Sequence, residues 1–147
     1  MFVPSCESLL KALKIDRSAL DGAGMVRVPG GLLKLLLQIA LAATEFDEEG
    51  YLKENPDVGA AVARGNLESA HMHYIGYGYF EGRRGGGPDV DSHWYLEKYP
   101  DVALAVTEGR VKSPELHFNA IGGGEGRSPA AEYESEAAQW KLAIKGL

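Results

Sequence analysis

The stretch FDEEGYLKENPDVGAAVARG occupies residues 46–65, and forty-four residues later the chain reads VDSHWYLEKYPDVALAVTEG at residues 90–109. Sliding the chain against itself by that offset aligns residues 47–83 with 91–127 without a gap. Tyr51, Leu52, Pro56, Asp57, Val58, Ala61, Val62, Gly65, Ser69, His73, Gly78, Glu81, Gly82 and Arg83 return as Tyr95, Leu96, Pro100, Asp101, Val102, Ala105, Val106, Gly109, Ser113, His117, Gly122, Glu125, Gly126 and Arg127. A match spread so evenly implies duplication of one structural unit.

The spacing within the unit predicts three short helices. Asp47 and Asp91 stand where an N-cap acceptor belongs, each behind an apolar residue, Phe46 or Val90, in the position of a hydrophobic staple. Pro56 and Pro100 end the first helix, because the residue before a proline is pushed out of helical geometry, and they are suited to open the second. The second helix carries Val58, Ala61 and Val62, or their counterparts, on one face, and Gly65 or Gly109 supplies a left-handed stop. The third runs from Ser69 or Ser113 toward Gly82 or Gly126, with Met72, Tyr74 and Ile75, or Leu116, Phe118 and Ile121, on its apolar face. No run alternates with period two for long, so the expected fold class is all-α.

Outside the repeats, the longest apolar segment is LLKLLLQIALAA at residues 32–43, far short of the ~20 residues needed to span a bilayer. Its only polar residues, Lys34 and Gln38, are four apart, so on a helix they form a thin stripe and leave apolar surface almost all round. That pattern predicts burial on most sides; a central core helix, a subunit interface and shallow insertion into a membrane surface are the three readings open to it. The last segment, residues 130–147, reads as a terminal helix with Tyr133, Ala137, Trp140 and Ile144 on one face. The expected organisation is an N-terminal helical segment (1–45), repeat 1 (46–88), repeat 2 (89–129) and a C-terminal helix (130–147). A repeat of this size is too small to hold a core alone, so the two are expected to stack on each other and on the flanking helices in one compact domain.

With 147 residues, 45% of them apolar, and a mean hydropathy of -0.19, the composition is that of a globular chain. The formal charge is -6, from 21 acids against 15 bases, and without clustered Lys and Arg nucleic acid is not an expected partner. Cys6 is the single cysteine, which excludes an internal disulfide framework and a thiolate metal cage, and suits a reducing compartment. The opening residues lack a basic region ahead of a continuous apolar stretch, so no signal peptide is expected, and the expected location is cytoplasmic.

The phrases YLKENPDVGAAVARGNLESAHMHYIGYGYFEGR and YLEKYPDVALAVTEGRVKSPELHFNAIGGGEGR resemble a repeat met in many proteobacterial proteins. Its pattern is Tyr-Leu-x-x-Asn/Tyr-Pro-Asp-Val, then His-Tyr/Phe, then Gly-x-x-Glu-Gly-Arg. Members of that family recur beside glycosyltransferase and methyltransferase domains of surface-polysaccharide synthesis, and inside large secreted calcium-binding repeat proteins. The resemblance covers residues 46–129 and implies an accessory unit within such machinery. The chain carries neither the glycine-aspartate nonapeptides of the secreted class nor a recognisable transferase domain, and Gly122, Gly123 and Gly124 replace a bulkier stretch.

Candidate chemistry is sparse. His71 and His73 are two apart and point in different directions on a helix, so no metal site is expected. His73 and His117 recur in step with Asp57 and Asp101, which suggests imidazoles that bond to a neighbouring helix end or carboxylate; no catalytic residue and no cofactor is expected. Arg83, Arg84 and Arg127 end the third helices, where the helix dipole favours them and where they could also clamp an anion. The first functional expectation is a non-enzymatic helical repeat module that binds protein partners, including itself, through Leu33, Leu36, Leu37 and Leu41 or through Trp140. The alternative is a carbohydrate-binding module using Tyr77, Tyr79, Arg83, Arg84, Trp94 and Arg127, since sugar faces stack on exposed rings. Tyr51, Pro56, Asp57, His73 and their counterparts Tyr95, Pro100, Asp101 and His117 are read as structural.

Overall fold

Each repeat begins with an aspartate closing a helix start. Asp47 Oδ1 accepts the Gly50 N–H at 3.0 Å, and Asp91 Oδ1 accepts that of Trp94 at the same distance. The computed structural model describes residues 2–22 and 24–145; the last two residues of the expected C-terminal helix lie outside them. The described residues are helical with no strand among them, so the fold class is all-α.

The elements in chain order are α1 (Cys6–Leu13), a 3-10 turn at Arg17–Leu20, α2 (Gly30–Ala42), α3 (Glu48–Glu54), α4 (Pro56–Ala63), α5 (Ala70–His73), α6 (Ser92–Lys98), α7 (Pro100–Thr107), α8 (Pro114–His117), a 3-10 turn at Ala131–Tyr133 and α9 (Glu134–Lys145). Prolines end α3 and α6 and open α4 and α7. Gly65 at φ +73° and Gly109 at φ +71° stop α4 and α7, with the following amides reaching back to the Ala61 and Ala105 carbonyls. Ser69 and Ser113 cap α5 and α8.

The third helix of each repeat differs from the expectation. Instead of one α-helix reaching Gly82, α5 widens after His73 into a π-helical turn at Tyr74–Gly78, and α8 does the same at Phe118–Gly122. The Tyr79 and Gly123 amides donate five residues back, to the Tyr74 and Phe118 carbonyls at 3.0 and 2.9 Å. Met72 and Ile121, expected on the apolar face, are exposed.

Contacts divide the chain into two units, Pro29–Pro88 and Met1–Val28 with Asp89–Leu147. In the first unit Tyr51, Val58, Ala70 and Tyr74 form the buried cluster, with Leu41, Phe46, Leu52, Val62 and Leu67 against it. The Phe46 and Tyr51 rings lie 5.3 Å apart, the staple geometry that their positions require. In the second unit Tyr95 and Val102 are fully buried and Ala105 nearly so. Burial of Val58 and Val102 stabilises by about 1.5–3 kcal/mol each through removal from water.

Two expectations about the flanking helices are corrected. No residue of α2 is buried. The helix packs on the π-helical turn of repeat 1, where Gln38 Nε2 donates to the Ile75 carbonyl and Leu41 joins the core edge, while Leu33, Leu35 and Leu36 are exposed. On α9 only Ala137 is buried; Trp140 and Ile144 are exposed, and Tyr133 sits half-buried in the preceding 3-10 turn. A small residue suffices there because the helix backbone approaches closely: a Cβ on Gly126 would overlap the backbone and Cβ of Lys141.

Candidate functional site

The residues that the sequence repeats meet twice, in one arrangement. α3 carries Tyr51 into the core, and α5 places His73 so that the Tyr51 hydroxyl lies 3.0 Å from its Nδ1. α6 and α8 bring Tyr95 and His117 to the same 3.0 Å. Gly78 and Gly122 complete the motif, because a Cβ at either position would overlap the tyrosine hydroxyl. Desolvation by burial raises the pKa of Tyr51 and pushes that of Tyr95 up to about 12, so the phenols stay neutral and act as hydrogen-bonding groups. The expected partner of His73 and His117, a carboxylate or helix end, is therefore replaced by a buried phenol.

The carboxylates belong to the arginines. Arg83 Nη1 donates to both oxygens of Asp57, at 2.9 and 2.8 Å, while its Nε donates to Glu81 at 2.9 Å. Arg127 spans both Asp101 oxygens at 2.8 and 2.7 Å and reaches Glu125 at 2.7 Å. These hydrogen bonds hold the Asp57 and Asp101 carboxyls below the usual carboxylate range. Each arginine thus ties the end of the third helix to the first turn of the second, which corrects the expectation that it serves the dipole of its own helix. The bidentate geometry uses donors that an anionic ligand would need.

The surface candidates are distributed differently. Tyr77, Tyr79 and Phe80 are exposed in the first unit, with Lys34 Nζ 4.8 Å from the Phe80 ring centre, and Arg84 is exposed beside them in sequence. Their counterparts Ile121, Gly123 and Gly124 remove the rings from repeat 2. There Trp94 is half-buried, edge-on to Tyr99 at 6.2 Å. On α2 Leu33 and Leu36 are exposed, whereas Leu37 and Leu41 are half-buried on the packed side.

Comparison with protein-family models, with curated proteins and with solved structures finds no match. Among the described residues there is no group of three or more His, Cys, Asp or Glu side chains close enough to hold a metal ion, and no helix long and apolar enough to cross a membrane.

Two residues with evident roles escaped the sequence reading. Asn55 Nδ2 donates to the Tyr51 and Arg84 carbonyls, both at 2.8 Å, and the Tyr99 hydroxyl accepts the Ser128 N–H at 2.8 Å. Both side chains brace the residue before the proline against the chain leaving the third helix. Their signal was available as the Asn/Tyr alternation at one position of the motif. His71 stacks on Phe46 at 4.6 Å, and its Nε2 is buried without a hydrogen-bond partner.

Proposed function

We propose that this chain is a non-enzymatic helical repeat module, two tandem three-helix units of forty-four residues, that acts as an assembly adaptor by binding protein partners, including a second copy of itself. The observation that carries the reading is the open face of α2: Leu33, Leu35 and Leu36 are 50%, 48% and 45% exposed on a helix with no buried residue. Exposed apolar side chains on a surface helix favour association, because covering them removes apolar area from water. His73, His117, Arg83 and Arg127 are engaged with residues of their own repeat in contacts that brace helices. The resemblance of residues 46–129 adds the setting, cytoplasmic machinery of surface-polysaccharide synthesis.

The test is Leu36→Glu, with circular dichroism to verify the fold. Light scattering and partner capture with wild-type protein should register a larger assembly that the variant loses. Unchanged mass and unchanged binding in a folded variant would remove α2 from the interface.

A second reading, a carbohydrate-binding module, rests on the exposure of Tyr77 at 61%, Tyr79 at 42% and Phe80 at 39%. Sugar faces stack on such rings. Titration with neutral and acidic oligosaccharides should then give binding that Tyr77→Ala and Tyr79→Ala abolish; a flat titration eliminates this reading.

A further inference from the structure

Between the end of α6 and the outer turns of α9, the second unit opens a cleft of about 520 Å³ lined by Lys98, Tyr99, Gly126, Arg127, Lys141 and Lys145, with Glu125 at its edge. Its volume falls within the ~300–1,000 Å³ of small-molecule sites. Four of the 15 basic residues of a chain with net charge -6 therefore meet in one concavity. Three carboxylates engage two of these cations, Glu134 pairing with Lys98 and Asp101 and Glu125 with Arg127. Lys141 and Lys145 lie one turn apart on α9, on one face, and neither has a carboxylate partner among the described residues.

The cleft combines repeat positions, Glu125, Gly126 and Arg127, with two departures from the repeat pattern. Repeat 1 has Glu54 where repeat 2 has Lys98, and Asn55 where it has Tyr99. Gly126 lets α9 approach so closely that Lys141 passes directly over it. The Arg127 guanidinium, lying 4.9 Å from the Tyr99 ring centre and gripped by Asp101 and Glu125, forms a rigid wall. Lys141 and Lys145 add two ammonium groups to the same lining. Lysines at one-turn spacing over a fixed arginine suit an anion with two or more charges, whose separate groups each meet a cation.

We propose that this cleft binds a small polyanion carrying phosphate or carboxylate groups, with Lys141 and Lys145 as its principal contacts and Lys98 joining them when Glu134 is displaced. The site is independent of the α2 face, so its failure and that of the adaptor reading are separable.

The experiment is isothermal titration of the full chain at low salt with pyrophosphate and, separately, with citrate. The expected result is saturable one-to-one binding of at least one probe, and the tighter one tells whether phosphate or carboxylate is the source of the charge. Lys141→Gln with Lys145→Gln should weaken it by about tenfold or more, while Lys11→Gln with Lys14→Gln, an equal change of net charge at the end of α1, should leave it unaltered. Glu134→Gln, which releases Lys98, should tighten it by roughly two- to fivefold, a gain that misfolding cannot produce. No saturable binding of either probe, equal loss in both lysine pairs, or no gain in Glu134→Gln overturns the proposal.

Discussion

The Tyr51 hydroxyl and His73 Nδ1 lie 3.0 Å apart although twenty-two residues separate them in the chain, and this one contact joins the first helix of repeat 1 to the third. Tyr95 and His117 repeat it in the second unit, where Trp94 is positioned to report on unfolding by fluorescence.

Tyr95→Phe should therefore lower stability by about 1 kcal/mol, the net worth of a part-buried hydrogen bond. The double-mutant cycle of Tyr95→Phe with His117→Ala should return a coupling energy of about the same size. Urea unfolding followed by tryptophan fluorescence measures it, and additive single effects would contradict the pairing.

Gly78 and Gly76 share the π-helical turn but should respond oppositely to alanine. A Cβ on Gly78 would overlap the Tyr51 hydroxyl, whereas one on Gly76 meets nothing within 4 Å. Gly78→Ala should cost about 1–3 kcal/mol through forced displacement of the core ring. Gly76→Ala should be neutral or stabilising by up to about 1 kcal/mol, since the flexibility of glycine is lost only from the unfolded chain. Thermal unfolding of the two variants side by side decides it.

The arginine bonds make stability sensitive to acid. Asp57 and Asp101 have carboxyl pKa values lowered in the folded chain by hydrogen bonds from Arg83 and Arg127. A carboxyl lowered on folding contributes stability that is in place above its unfolded value, about pH 4, and that is lost as pH falls through the folded value. Replacing both by Asn should flatten the fall of the urea midpoint below that pH. Because both carboxylates are exposed, the difference should be small and shrink with added salt. Superimposable profiles for wild type and the double variant would contradict this.

The buried phenols act at the alkaline end. Burial pushes Tyr74 and Tyr95 up to about 12. The raised folded value means that their contribution is complete below the unfolded value of about 10 and is lost as pH rises through the folded one. Phenolate absorbance should show a fraction of tyrosines ionising late, together with loss of helicity. In Tyr95→Phe that late fraction should shrink.

Asp47, Pro56, Gly65, Ser69 and their counterparts were readable as caps, breaks and stops because each acts on backbone within about four residues of itself. The all-α class followed from them and from the apolar spacing of Val58, Ala61 and Val62. What Arg83 and His73 bind was not readable: their partners lie twenty-six and twenty-two residues away, and recurrence at a common offset leaves open which repeated partner meets which.

Burial of the flanking helices was likewise a tertiary decision. The apolar surface almost all round α2 foretold a need for cover, yet how much of it is covered depends on how many elements reach the helix, and it packs chiefly on the π-helical turn of repeat 1. The sequence by itself determined where helices start and stop, because hydrogen bonding and φ restriction are local. The tertiary structure alone decided that Tyr51 holds His73, that Arg83 holds Asp57 and that Lys98, Lys141 and Lys145 share a cleft, because side chains far apart in sequence meet only when packing fixes the distance between their helices.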